Sequence, residues 1–177
     1  MPATPLHASV PWLAYARWPA AFSFWALTLG SMVPDLEVPV MWTATGDLTA
    51  ARGPMHSVIG VLTLNAAVTV LAVWLLVPPL LRWLDRTWPG TDILRFAGRD
   101  LRRDPRDLAT LYASAAFGGL THVLVDIPTH SYNPLWWPWQ TGPLNLVPFS
   151  DQLWYDLLTT GLWIVFFALV FRAYWRR

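Results

Sequence analysis

From Gly53 to Leu81 the sequence contains no Lys, Arg, Asp or Glu. This run constrains the fold more than any other feature. As a helix it reaches on the order of 40 Å, beyond the roughly 30 Å hydrocarbon core of a bilayer. His56 stands at its start, Asn65 is its only amide, and Pro78-Pro79 kink or end it. Composition agrees with lipid as solvent. The chain is 55% hydrophobic and 13% charged, holds 13 Trp and has no lysine, so it has too little polar surface to coat a water-soluble globule.

Three other stretches share this character. In residues 8–34 only Arg17 is charged before Asp35, and Pro11, Pro19 and Pro34 punctuate the run. Either residues 18–34 cross the membrane, or residues 8–34 form a re-entrant hairpin of two short helices turning near Arg17-Trp18-Pro19. The stretch closes on Gly30-Ser31-Met32-Val33-Pro34-Asp35, a helix stop followed by a carboxylate; Glu37 and a Gly- and Thr-containing loop then lead to Pro54. Leu108 to Asp126 is unusually small-sided, and Ala115 with Gly119 fits the small-xxx-small pattern that brings helices close in lipid. Gln152 to Phe171 contains only Asp156 as a charge. The fold expected is all-α: one domain over 1–177, an integral membrane bundle of three or four spans, with the first segment a span or a re-entrant hairpin.

Arginine sets the orientation. Residues 82–107 hold seven of the twelve arginines, interleaved with five aspartates, and the tail adds Arg172, Arg176 and Arg177. Two spans separate these regions, so both can be cytoplasmic at once. The stretch 82–107 is read either as amphipathic and lying on anionic headgroups or as a solvated charged loop. The opposite, outer ends then carry His56, Asp126, His130, the Pro- and Trp-rich loop 131–150 and, if the first segment runs outward, Asp35. Trp136, Trp137 and Trp139 place that loop at headgroup level. A net charge of +1 gives no field of one sign, so no nucleic-acid partner is expected. With no cysteine, disulfides and thiolate ligands are excluded, and MPATPLH lacks the basic start of a cleaved signal peptide.

The chemistry concentrates in GGLTHVLVDIPTH, residues 118–130. His122 and Asp126 are four apart and share a helix face. Pro128 ends the helix near Ile127, leaving His130 on the exit turn to curl back towards the pair. Two imidazoles and a carboxylate so arranged can bind Zn²⁺ or a similar ion. The plainer alternative is a polar helix end whose groups are satisfied by water. Ionisable groups at membrane depth are costly and tend to mark function.

GSMVPD (30–35), His56-Ser57, GGLTHVLVDIPTH (118–130) and PLWWPW (134–139) together resemble the bacterial and archaeal membrane-bound metal-dependent hydrolases, which include the LexA-regulated inner-membrane group. The order His, Asp, His, H-x3-D, His is also similar to that of the zinc-dependent phospholipase C and nuclease group. The resemblance implies His7, Asp35, His56, His122, Asp126 and His130 as metal ligands, with Asp126 as bridge. His7 qualifies only if the first segment is a hairpin that returns it to the outer face. The chain lacks the phospholipase group's further downstream H-x3-E pair, so one or two ions, Zn²⁺ or Mn²⁺, are expected rather than three. The implied protein is a multi-pass inner-membrane enzyme that hydrolyses an ester, preferentially a phosphoester, of a lipid or lipid-linked substrate at the outer interface. Asp156 or Glu37 would act there as proton acceptor or supporting carboxylate. A metal-transport or metal-binding membrane protein is the alternative; it requires polar groups through the whole membrane depth, where Asn65 is nearly alone. A third reading is a structural membrane protein without metal.

Overall fold

The computed structural model describes residues 4–47, 51–89, 105–128, 130, 133–140 and 152–175. All regular structure among them is helical, as the patterning requires. A 3₁₀ turn, Thr4–Ala8, leads into α1 (Ser9–Arg17); α2 (Phe24–Gly30) follows, and a second 3₁₀ turn, Val33–Leu36, leads into α3 (Glu37–Thr45). A short 3₁₀ turn, Pro54–His56, precedes one continuous rod made of α4 (Val58–Gly60), a π-helical turn (Val61–Asn65) and α5 (Ala66–Leu75). The rest is α6 (Val77–Thr87), α7 (Pro105–Asp126) and α8 (Gln152–Trp175).

Residues 8–34 are thus two short helices with a turn between them, the form of the hairpin alternative. Ser23 sets the start of α2: its hydroxyl accepts from Ala26 N, while its own backbone N–H donates to Ser114 Oγ on α7 at 3.0 Å. The loop expected after Glu37 is instead helical as far as Thr45. Pro39 falls in the first turn of α3, where no intrahelical N–H is needed, and Gly46 closes the helix in the left-handed region at φ 71°. Pro78 and Pro79 do end the second apolar segment: α5 stops at Leu75 and α6 starts with Pro in its first turn.

Helix α7 is the centre of the assembly, with α2, α5 and the π-helical turn packed on it. The small residues explain how close these approaches are. A Cβ at Gly30 would run into the Ala115 backbone, and one at Gly118 into the Leu27 carbonyl. Ala115 therefore serves α2, as the small-xxx-small pattern anticipates, whereas Gly119 faces Val61 and Asn65 of the π-helical turn. Ala26, Val70, Val73, Leu81, Leu111 and Ala115 lie in the apolar core between these helices. Helix α8 packs against α1 and the N-terminal turn, around Leu6, Val125 and Leu162.

Two stretches, Val58–Leu75 of 18 residues and Arg106–Asp126 of 21, are long and apolar enough to cross a membrane. Their lengths come to about 27 and 31 Å, close to the bilayer core. The arginine-rich stretch 82–107 is described only at its ends, in α6 and at the start of α7; residues 90–104 lie outside the described residues, as do 141–150 of the Trp loop. Within 133–140, Trp136, Trp137 and Trp139 are all exposed.

Candidate metal centre

Four backbone segments converge at one end of α7. The H-x3-D spacing puts His122 and Asp126 one turn apart on the last two turns of the helix, and both are buried. Asp35 comes from the 3₁₀ turn after α2, where Pro34 and the end of the helix redirect the chain. His56 comes from the Pro54–His56 turn, and His7 from the N-terminal 3₁₀ turn. That turn after Gly53 is fixed locally. Ser57 Oγ donates to Pro54 O at 2.7 Å and accepts from Gly60 N at 2.9 Å, so one serine both closes the turn and caps α4. Val58 N donates to Leu135 O at 3.0 Å and fastens the tryptophan turn beside it.

Asp126 is the hub. Its Oδ2 lies 3.3 Å from His122 Nε2 and 3.8 Å from His56 Nε2; its Oδ1 lies 3.7 Å from His7 Nε2 and 3.4 Å from His130 Nδ1. Asp35 Oδ1 stands 3.6 Å from His122 Nε2. Two sets of side chains, His7 with His122 and Asp126, and Asp35 with His56 and His122, each place their ligand atoms within 4.8 Å of one another and can hold a metal ion. His130 is in neither set; its ring Nδ1 faces the Asp126 backbone carbonyl at 3.3 Å.

Hydrogen bonds fix which ring nitrogens can ligate. His122 Nδ1 is 2.8 Å from Ser31 O, and a carbonyl only accepts, so Nδ1 carries the proton and Nε2 keeps its lone pair. His56 Nδ1 lies 3.2 Å from Glu37 Oε2, which assigns Nε2 as its ligand atom in the same way. Both Nε2 atoms are buried and make no hydrogen bond. Buried ring nitrogens without a hydrogen-bond partner, facing carboxylates, fit a cation in the cluster. Since His122 Nε2 offers one lone pair, the two sets cannot each hold an ion through it. They overlap on one position, and a second ion would draw on the Oδ1 side of Asp126.

Burial also keeps His7 and His56 neutral. His7 is pushed down to about 4 by burial, with His122 beside it acting in the same direction. His56 is lowered by burial, which outweighs the opposing hydrogen bond to Glu37. Neutral imidazole is the form that binds metal.

Of the residues singled out in the sequence, His7, Asp35, His56, His122, Asp126 and His130 come together, with Glu37 behind His56. Glu37 Oε2 accepts from Gly53 N at 3.1 Å and Met55 N at 3.0 Å, so it holds the backbone of the turn as well as the ring. Gly53 has the glycine this requires, because a Cβ there would strike the Glu37 carboxylate. Asp156 occupies an exposed position on α8, in contrast to the buried cluster. One member was not anticipated. Arg52 is 6% exposed, and its Nε donates to Asp126 Oδ2 at 3.2 Å. The sequence does carry a signal for it, since Arg52 is the one arginine between Arg17 and Arg82 and sits four places before His56.

Residues 1–177 match the family model described as a domain of unknown function, DUF4184, and the chain belongs to that family along its whole length. No curated protein and no solved structure matches it.

Proposed function

We propose that the protein is a membrane-bound metal-dependent hydrolase acting on an ester, preferentially a phosphoester, of a lipid or lipid-linked substrate. The observation that carries this reading is the buried donor set around Asp126, with the Nε2 atoms of His56 and His122 both lacking hydrogen bonds. A divalent ion bound there would supply a water of lowered pKa and polarise an ester oxygen. The chain's own groups do the rest. Glu37 and the Ser31 carbonyl lock the tautomers and orientations of His56 and His122. His130 braces the end of α7 through the Asp126 carbonyl. Asp156 remains the candidate proton acceptor outside the cluster, and Glu37, committed to His56 and two backbone N–H groups, is better suited to support.

The membrane setting is supported by an inverted distribution of side chains. Polar His, Asp, Arg and Asn are buried, while Leu71, Leu75, Ile164, Phe167 and Phe171 are exposed on α5 and α8. With α8 as a third span, the arginines of α6 and Arg172 near the end of α8 face the cytoplasm and the cluster faces outward. The exposed tryptophans 136, 137 and 139 then stand at the outer headgroups beside the site.

Asn65 bears on the transport alternative. Its Nδ2 donates to Gly30 O at 3.1 Å, tying the π-helical turn to the end of α2, so it serves as a strut between helices. The test is hydrolysis in detergent, without any gradient. A phospholipid or lipid-linked phosphoester should be cleaved, the activity should vanish with chelator, and metal should restore it. Metal flux into liposomes with no hydrolysis across a broad ester panel would refute the enzyme reading in favour of transport.

A further inference from the structure

Arg52 does more than the cluster requires of a charge partner. A guanidinium presents Nε and Nη2 as parallel donors on one edge of a planar fork. In this protein Nε donates to Asp126 Oδ2 at 3.2 Å, while Nη2 on the same edge is buried and has no hydrogen-bond partner. A carboxylate neutralising Arg52 in the usual bidentate way would take both donors with its two oxygens. Asp126 does not, because its other oxygen is turned to His7 and His130 at 3.7 and 3.4 Å. A cationic donor is therefore left without an acceptor beside the metal-binding side chains, in a place from which bulk water is excluded.

We propose that Arg52 is the anion-recognition residue of this site, its Nη2 donating to a phosphoryl oxygen of the substrate while Nε keeps its hydrogen bond to Asp126. The proposal rests on reading the cluster as a metal-dependent hydrolytic centre for phosphoesters and adds the residue that recognises the phosphoryl group. Among esters, a phosphoester keeps negative charge on its non-bridging oxygens, whereas a carboxylic ester presents a neutral carbonyl. Only the former answers a buried guanidinium with charge. A tetrahedral phosphoryl group also has oxygens to spare, one for Arg52 and another for a cation that the neighbouring His and Asp side chains would hold. The phosphoryl group can belong to a lipid headgroup or be free in solution.

The test uses full-length protein in detergent, loaded with Zn²⁺ and checked for metal content by elemental analysis. Isothermal titration calorimetry is then run with inorganic phosphate and, separately, with a short-chain phosphatidic acid, on wild type, Arg52→Gln and Arg52→Lys. Wild type should bind at least one probe, and Arg52→Gln at equal metal content should weaken that binding roughly tenfold to hundredfold, the range for a hydrogen bond to a charged group. Arg52→Lys keeps the charge but not the fork and should fall between. Binding of phosphatidic acid alone assigns the headgroup, and binding of both assigns any phosphoryl group. Equal affinity in wild type and Arg52→Gln overturns the proposal. So does a metal-loaded wild type that binds neither probe, or loss of metal from both variants, which would make Arg52 a partner of Asp126 only. Wild type that takes up no metal would instead remove the hydrolase reading on which the proposal rests.

Discussion

Replacing Glu37 by Gln separates a supporting role from a proton-accepting one. The carboxylate holds three groups through Oε2: Gly53 N at 3.1 Å, Met55 N at 3.0 Å and His56 Nδ1 at 3.2 Å. Glutamine has the same shape, and its carbonyl oxygen can take the Oε2 position and keep all three. What is lost is the negative charge behind His56 and the second acceptor, Oε1, which lies 3.2 Å from Met55 N and becomes a donor facing a donor. Carboxylates that orient a metal-binding histidine in this way are worth about 10–100-fold in metal affinity, or about 1.4–2.7 kcal/mol. Glu37→Gln should therefore fold with little change in thermal midpoint and lose zinc affinity by that factor in a chelator competition assay. Glu37→Ala should in addition lose stability, because two partly buried N–H groups are left without acceptors at about 1–3 kcal/mol each. If Glu37→Gln binds zinc as tightly as wild type and only turnover falls, Glu37 is a proton acceptor and the supporting role is wrong.

Three further outcomes are expected. In the metal-free protein, His7 binds its proton near pH 4 when folded but near 6.5 when unfolded, so the unfolded state takes up protons first as the pH drops. Stability should be full above about pH 6.5 and decline towards pH 4, by up to roughly 3 kcal/mol from this group; denaturation at a series of pH values should show a shallower decline in His7→Gln, and an identical one would contradict the assignment. Gly118→Leu should destabilise by more than the ~1–3 kcal/mol of ordinary overpacking, because its side chain meets the backbone of α2, and a thermal melt unchanged from wild type would refute that crossing. In a chain without native cysteine, Cys at Ala44 or Trp139, both exposed, should react with an impermeant thiol reagent from outside, and Cys at Thr87 only after permeabilisation; the reverse pattern would invert the topology drawn from the arginines.

The parts of this structure that were legible in the sequence are those carried by spacing and by solvent preference. The H-x3-D pair works because four residues return a helix to the same face, and the uncharged Gly53–Leu81 run contains the helical stretch Val58–Leu75, long and apolar enough to cross a membrane. The small face of α7 was visible in Ala115 and Gly119, although Gly118, one residue away, makes the tighter approach to α2. Local sequence could not decide between a span and a hairpin for residues 8–34, because that depends on whether α1 finds α8 and the N-terminal turn to pack against. Helix α3 is hidden in the sequence because a proline and two threonines look like loop chemistry, yet Pro39 falls in the first turn, where it is harmless. The role of Arg52 is not legible in the sequence for a different reason. An arginine bordering an apolar run ordinarily marks a membrane edge, and only the tertiary contact with Asp126, 74 positions away, reveals it as part of the site.

The most direct measurement is elemental analysis of the purified protein, prepared without chelator, beside His122→Ala and Asp126→Ala. His122 belongs to both sets of donors and Asp126 faces five of the surrounding side chains, so each substitution removes a donor on which the cluster depends. Wild type is expected to carry one or two equivalents of a divalent transition metal, Zn²⁺ or Mn²⁺, and each variant is expected to lose most of it while remaining folded by circular dichroism. Wild-type protein that holds no metal even after reconstitution, or variants that hold as much as wild type, would contradict the metal centre.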